Sequence, residues 1–489
     1  MLNTSFEPVD FVLFGTAGDL ARRKLLPSLY QLEKADLMHT DTKIIGVARV
    51  ESSISEYQQS AKDNIEKFTK ESVCETTWAR FCSKLDYVKI DMKSPEDYSG
   101  LSEHVNEDRI MVCYFATPPA VYGDICKGLA AANIIDESVR VVLEKPIGHD
   151  LASSKLINEE VAEYFNENQI YRIDHYLGKE TAQNIMVLRF ANAIFEPLWN
   201  NRCIEQIQIT CSENLGMEGG RGAYYDSAGA MRDMVQNHLL QLLSLVAMEP
   251  PTDLSADGVR DEKVKVLRSL RQWDTPELVA DNVVRAQYIA GHVDGENVVG
   301  YREEDRVDPE SMTESYVALR VLVDTWRWSG VPFYVRMGKQ LPKKATEISI
   351  HFKEPPTVLF NALSGGVPGG NVLVIRIQPD EGISLRMVSK IPGSSLRMEP
   401  VKMDFHYATS FGKASPEAYE RLLLDAMAGD ATLFARRDEV EEAWKFIDHI
   451  EHAWHESKTP PAMAEFVAGS WGPVEADALL QEDGNQWRR

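Results

Sequence analysis

Between Phe11 and Leu25 the chain reads FVLFGTAGDLARRKL. An unbroken apolar run meets two glycines, an acid and a short basic cluster. A short apolar run ended by glycine is a buried strand. Glycines between a strand and a helix let the backbone approach a pyrophosphate, and the helix N-terminus adds free N–H groups and a positive dipole end. Gly15, Thr16, Ala17, Gly18, Asp19 and Leu20 are therefore the candidate dinucleotide loop. The spacing is G-x-x-G rather than G-x-G-x-x-G, and by itself it serves a plain tight turn equally well. Pro27 interrupts the helix that would begin at Gly18, so a kink is expected there.

The rest of the chain narrows the choice. FVLFG (11–15), KIIGVAR (43–49), YVKIDM (87–92), RIMVCYFAT (109–117) and VRVVLEKP (139–146) are apolar runs. Polar amphipathic stretches such as SEYQQSAKDNIEKFTKE (55–71) separate them. That repetition implies a doubly wound parallel sheet. Beyond it, IEQIQITCSE (204–213), SYVALRVLVD (315–324), EISIHFK (347–353), NVLVIRIQP (371–379) and GISLRMVS (382–389) alternate apolar and polar residues. Alternation predicts half-buried antiparallel strands; helical stretches at 417–429 and 439–456 flank them. An acidic loop (294–310) and a glycine-rich one (363–370) stand out. The expectation is an α/β Rossmann-like dinucleotide-binding domain over residues 1–175, and a large α+β domain with a mostly antiparallel sheet over residues 176–489.

Composition excludes some functions. With 52 basic and 75 acidic residues the net charge is −23, which argues against a nucleic-acid partner. The six cysteines form no C-x-x-C pair and read as reduced, buried thiols of a cytosolic protein. The opening MLNTSFEPVD lacks the basic and apolar regions of a secretory signal. The most apolar helix, HLLQLLSLVAM (238–248), is short of the roughly 20 residues that span a membrane. A cytoplasmic place, no membrane partner and no metal site are expected.

Four further stretches carry chemistry. Arg49 ends the second apolar run, where an acid would hold the ribose hydroxyls of NAD and an arginine accommodates the 2′-phosphate of NADP. NADP is expected, with use of NAD left open; a lone surface arginine has the same sequence signature. LEKPIG (143–148) places Lys145 at a strand's carboxyl end, where open α/β sheets bind ligands. YRIDHYLGKE (171–180) crowds Asp174, His175, Tyr176 and Lys179 together. If that stretch is helical, His175 and Lys179 share a face and with the tyrosine form a phosphate-sized anion site. MRDMVQNHLLQLL (231–243) puts Asp233 and His238 on an otherwise apolar helix. Such a histidine is a core residue or a base, and a base needs a partner such as Asp174 to orient it. VPFYVRMGKQLPKK (331–344) supplies Lys339, Lys343 and Lys344, a solvated face or one wall of an anion pocket.

Together, GTAGDLARRKLLPSLY, RIDHYLGKE, DMVQNH, GVPFYVRMGK, RIQPDEG and GSWGP resemble the glucose-6-phosphate dehydrogenase family along essentially the whole chain. The resemblance implies oxidation of D-glucose 6-phosphate at C1 to 6-phospho-D-glucono-1,5-lactone with hydride passing to NADP, the first step of the oxidative pentose phosphate pathway. It implies a homodimer or homotetramer. His238 would be the general base, and Asp174 would orient it and stabilise the imidazolium. His175, Tyr176 and Lys179 would hold the 6-phosphate; Glu213, Asp233, Lys339 and Lys344 would bind or orient the sugar. Lys24 and Lys145 would lie between sugar and nicotinamide, Arg49 at the 2′-phosphate, and Asp91 and Met92 on the adenine side. Two departures are visible: GMEGGRGAYYD (216–226) is one residue longer than the family pattern, and Phe466 stands where relatives often have tyrosine. Two other readings compete, a sugar dehydrogenase sharing only the E-K-P strand end, and an NADP-binding sensor without catalysis. Neither needs Asp174, His175, Tyr176, Lys179 and His238 together.

Overall fold

The computed structural model describes residues 7–69, 72–217, 220–356, 369–393, 396–412, 415–455, 457 and 460–489. The chain forms two compact units that do not follow its order: 1–178, 251–261 and 416–441 make one, and 179–250, 262–415 and 442–489 the other.

In the first unit every apolar run becomes a strand: β1 (Val9–Phe14), β2 (Lys43–Ala48), β3 (Leu85–Lys89), β4 (Ile110–Phe115) and β5 (Arg140–Leu143). A sixth, β6 (Ile170–Ile173), follows them. The parallel order is β6-β5-β4-β1-β2-β3, and the short strand Phe434–Ala435 adds antiparallel to β6. The chain runs outward from β1 to β3, then returns to β4 on β1's other side. That reversal between β1 and β4 is the switch point where open α/β sheets bind ligands. β1 is buried along its whole length, as a central strand covered on both faces must be. Val12, Phe14, Ile45, Cys113, Phe115 and Leu143 form the core there. The helix expected over 55–71 runs Ile54–Phe68, started by a capping box in which Ser53 and Glu56 satisfy each other's backbone N–H; residues 70 and 71 lie outside the described residues.

The break expected at Pro27 takes a specific form. Residues Ala21–Leu25 are wound as a wide π-turn and Pro27 falls in the first turn of the α-helix Leu26–Lys34. The extra residue in the turn absorbs the missing N–H and the ring clash. The segment 416–441 folds back onto this unit: Arg140 Nη1 donates to the carbonyls of Ala426 (2.9 Å) and Met427 (2.6 Å).

The second unit is built on a nine-stranded sheet. Its strands are β7 (Ile204–Ser212), β8 (Val283–Ile289), β11 (Tyr316–Leu322), β12 (Pro332–Gly338), β13 (Ala345–Phe352), β14 (Val372–Gln378), β15 (Gly382–Lys390) and β16 (Met398–His406). The ninth is Met463–Val467, while β9 (Gly291–Val293) and β10 (Glu296–Val298) form a separate hairpin. Most neighbours are antiparallel, as expected; β7–β12 and β8 with Met463–Val467 are parallel. The expectation of half-buried strands fails for β7, where Gln206, Gln208, Thr210 and Ser212 are buried as fully as the isoleucines between them. The C-terminal segment covers that polar face and satisfies it. Gln206 Nε2 donates to Asn485 Oδ1 (2.7 Å), and Gln208 Nε2 to the carbonyl of Gln486 (2.8 Å). Arg336, also buried, lies over the Trp487 ring at 4.3 Å. The glycine-rich loop expected at 363–370 lies outside the described residues except for its last two.

The six cysteines are thiols outside any disulfide, but they are not uniformly buried: Cys74 is exposed at the start of the helix Glu75–Lys84, and Cys82 and Cys203 are half-buried. Among the described residues no helix is long and apolar enough to cross a membrane, and no group of histidine, cysteine and carboxylate residues could hold a metal ion.

Candidate active site

The glycine turn sits at the switch point of the first unit. The amides of Gly15 and Thr16 donate to Val47 O (2.9 and 3.2 Å), and that of Gly18 donates to Gly15 O (2.8 Å). Gly15 has φ +84°, and a Cβ there would stand 2.4 Å from the carbonyl oxygen of Ala116, at the end of β4. Only glycine fits this crossing. Thr16 Oγ1 and Tyr57 Oη are hydrogen-bonded at 2.8 Å in the interior, and burial pushes the Tyr57 hydroxyl up to about 12. Ala17 and Asp19 are exposed, Leu20 is half-buried, and Asp19 pairs with Arg23 at 2.7 Å. A turn with glycine at two of its positions, entering a helix at the sheet's switch point, fits a dinucleotide pyrophosphate. Arg49 lies exposed just beyond β2. Asp91 follows β3; its Oδ1 accepts the Lys93 amide (3.2 Å), and half-buried Met92 packs on the core.

Lys145 follows β5 across a cis peptide to Pro146. The residue before it, Glu144, is buried and accepts a hydrogen bond from Tyr114 Oη at 2.5 Å. Burial raises the Glu144 carboxyl above its ordinary value, against the hydrogen bonds of Tyr114 and Tyr419.

The stretch after β6 is a turn, so the helical alternative for it is overturned. Asp174 Oδ1 accepts the Tyr176 amide (2.9 Å) and its carbonyl accepts the Leu177 amide (3.0 Å). An aspartate closing its own turn competes with helix, and the α-helix begins only at Glu180, with extended Lys179 as its N-cap. Asp174 and Tyr176 are buried and His175 is half-buried. The His175 ring stacks on Tyr419 at 6.2 Å and 10°. Gly178 is pressed against the same segment, where a Cβ would meet Ala418 O at 2.7 Å. Lys24 pairs with Glu417 at 3.3 Å. Tyr419, which sequence reading missed, carries no local signal, because its neighbours are more than 200 residues away in the chain.

In the second unit Glu213 and Lys339 immediately follow β7 and β12, parallel neighbours whose last residues, Ser212 and Gly338, are in register. The two side chains form an ion pair. Lys339 Nζ also lies 4.9 Å from the centre of the Tyr225 ring, a cation–π contact. Tyr225 is buried, and burial holds its hydroxyl well above the ordinary value. Lys343 and Lys344 are exposed, with Lys343 over the Trp471 ring at 5.4 Å. Asp233 and His238 lie on a π-wound helix, Met231–Leu239, continuing into the α-helix Leu240–Ala247. Ordinary α winding would set residues five apart about 140° from one another; the wider i→i+5 turn brings them toward one side. Asp233 accepts from Tyr224 Oη at 3.4 Å. His238 is fully buried. Residues 218 and 219 of the lengthened stretch lie outside the described residues.

A family model described as "Glucose-6-phosphate dehydrogenase, NAD binding domain" matches residues 12–184. One described as "Glucose-6-phosphate dehydrogenase, C-terminal domain" matches residues 186–488. The glucose-6-phosphate 1-dehydrogenase of Dickeya dadantii is 48% identical over 490 residues, covering 99% of this chain and 99% of that protein. The crystal structure of glucose-6-phosphate 1-dehydrogenase from Mycobacterium avium has a TM-score of 0.85 at 36% identity, covering 99% of this chain and 98% of that one. A glucose-6-phosphate dehydrogenase solved in complex with its substrate glucose-6-phosphate has a TM-score of 0.89 at 33% identity, covering 99% of each chain.

Proposed function

This chain belongs to the glucose-6-phosphate dehydrogenase family, and from that premise we propose that it oxidises D-glucose 6-phosphate at C1 to 6-phospho-D-glucono-1,5-lactone with NADP. The observation that carries the reading is the turn Asp174–Lys179, which gathers an acid, a histidine, a tyrosine and a lysine behind a buried strand end. NADP, when bound, supplies the hydride acceptor. His238 takes the proton of the C1 hydroxyl, and Asp174 orients the imidazole and stabilises its charged form. His175, Tyr176 and Lys179 hold the 6-phosphate. Glu213, Asp233, Lys339 and Lys344 bind or orient the sugar, and the Glu213–Lys339 pair supports a polar role for both. Lys24 and Lys145 stand between sugar and nicotinamide. The turn 15–20 holds the pyrophosphate, Arg49 the 2′-phosphate, and Asp91 and Met92 flank the adenine.

NADP binding is assigned chiefly to residues 1–175, and substrate binding and oligomerisation chiefly to residues 176–489. A homodimer or homotetramer in the cytoplasm is proposed as its working form. Exposed apolar side chains on β15 and β16, Met387, Val401 and Met403, support association.

The test is the absorbance of reduced nicotinamide with glucose 6-phosphate and NADP, beside free glucose, NAD and a His238→Ala variant. Turnover confined to the phosphorylated sugar and lost in the variant is expected. NADP binding with no turnover would move the chain to the sensor reading.

A further inference from the structure

We propose that Glu314 is a positioning residue for the reaction: from the loop before β11 it holds the first turn of the helix bearing Asp233 and His238. The proposal rests on the roles given above to those two residues.

Two hydrogen bonds and one close approach carry it. The amide of Ala230 donates to the backbone carbonyl of Glu314 at 3.0 Å. The amide of Met231, the first residue of the π-wound segment, donates to Glu314 Oε1 at 2.8 Å. Gly229, just before, has φ +71°, and a Cβ there would sit 2.4 Å from Oε1. The backbone breaks helical geometry at Gly229, so the new helical segment starts with amides that need outside acceptors. Glu314 supplies two of them, one from its side chain and one from its main chain, across 83 residues of sequence.

The next residue extends the same brace. The Ser315 amide donates to Ala286 O (3.0 Å), and Ser315 O accepts the amide of Lys339 (3.0 Å). One dipeptide therefore ties down the start of the histidine-bearing helix and the backbone of Lys339. Shifts of about 1 Å at such a site cost activity on the order of 100-fold.

Glu314 is buried. The groups facing it are Glu451 and Arg232, joined by hydrogen bonds of 3.1 and 2.6 Å, with Tyr225, Tyr301 and Arg285 around them. His455 reaches Glu451 at 3.3 Å. Burial first, and then the charge of Glu451, push the Glu314 carboxyl up to about 7. A carboxyl raised in this way offers Met231 a weaker acceptor when protonated than when charged.

The experiment measures kcat and KM for glucose 6-phosphate and NADP in the full-length protein, its Glu314→Ala and Glu314→Gln variants, and His238→Ala, across about pH 6 to 8. Glu314→Ala is expected to lower kcat about tenfold or more while the KM for NADP stays within about twofold. Glu314→Gln keeps an oxygen acceptor and is expected to recover kcat to within about threefold of the parent, with a flatter pH profile. Should Glu314→Ala fail to fold, Glu314→Asp, which keeps the carboxylate but withdraws it from the Met231 amide, takes its place and is expected to lower kcat about tenfold or more. A kcat in Glu314→Ala, or in the Glu314→Asp variant that replaces it, within about twofold of the parent overturns the proposal. No turnover in the parent sinks instead the functional reading on which it rests.

Discussion

Replacing Gly15 by alanine tests whether the opening turn is held by backbone crossing. The new Cβ would stand 2.4 Å from Ala116 O, where ordinary contact begins at 3.4 Å. The atom it meets is main chain at the end of β4, so a rotamer change cannot relieve the overlap. The left-handed φ of +84° adds about 1–2 kcal/mol for a residue with a Cβ. Forcing backbone apart by about 1 Å adds ~1–3 kcal/mol, as overpacking does elsewhere. The sum is ~2–5 kcal/mol, and it falls on the amide bonds from Gly15 and Thr16 to Val47 O. Gly100→Ala, in the same unit with nothing within 4 Å of its added Cβ, is the control. Urea denaturation should show the loss in Gly15→Ala alone, accompanied by a KM for NADP raised about tenfold or more. A Gly15→Ala protein within roughly 0.5 kcal/mol of the control would refute the reasoning, because the crossing would then have slack.

Other substitutions probe separate points. Arg49→Ala should raise the KM for NADP about tenfold or more while leaving that for NAD within about twofold; equal effects on both would remove Arg49 from the 2′-phosphate. Tyr114→Phe takes a donor from buried Glu144 and should cost about 1–3 kcal/mol at neutral pH by chemical denaturation. Burial already raises the Glu144 carboxyl, so the penalty belongs to its charged form. Stability is retained below the unfolded carboxyl range and lost as pH rises through the raised folded value. The deficit of Tyr114→Phe should therefore shrink from pH 8 toward about pH 4; a deficit independent of pH would mean the hydroxyl serves packing only.

Several site residues were legible from local pattern. Gly15 and Gly18 sit between a buried strand and a helix, and Lys145 at a strand's end, positions that the periodicity of the sequence marks directly. The stretch Asp174–Lys179 was found by its composition, yet its turn geometry depends on the Asp174 side chain accepting the Tyr176 amide. No helical periodicity reports that bond. Tyr419, Tyr225 and Glu314 were not legible, since each meets its partner from a distant part of the chain.

By itself the sequence determined the parallel core of the first unit, the glycine turn, and the set of acids, histidines and lysines available for chemistry. These follow from short-range rules: short unbroken apolar runs bounded by turn residues, glycine's φ freedom, and the carboxyl-end placement of ligand groups. Tertiary structure decided what covers each face. The polar side of β7 looked solvated, and became interior because Asn485 and Gln486 bring hydrogen-bond partners from the far end of the chain. The helix bearing His238 likewise begins where it does because Glu314 takes the amide that Gly229 leaves open. A periodic pattern records that a face is polar or apolar; which group satisfies it is settled only when distant segments pack, because a buried donor or acceptor must find a partner wherever one is within reach.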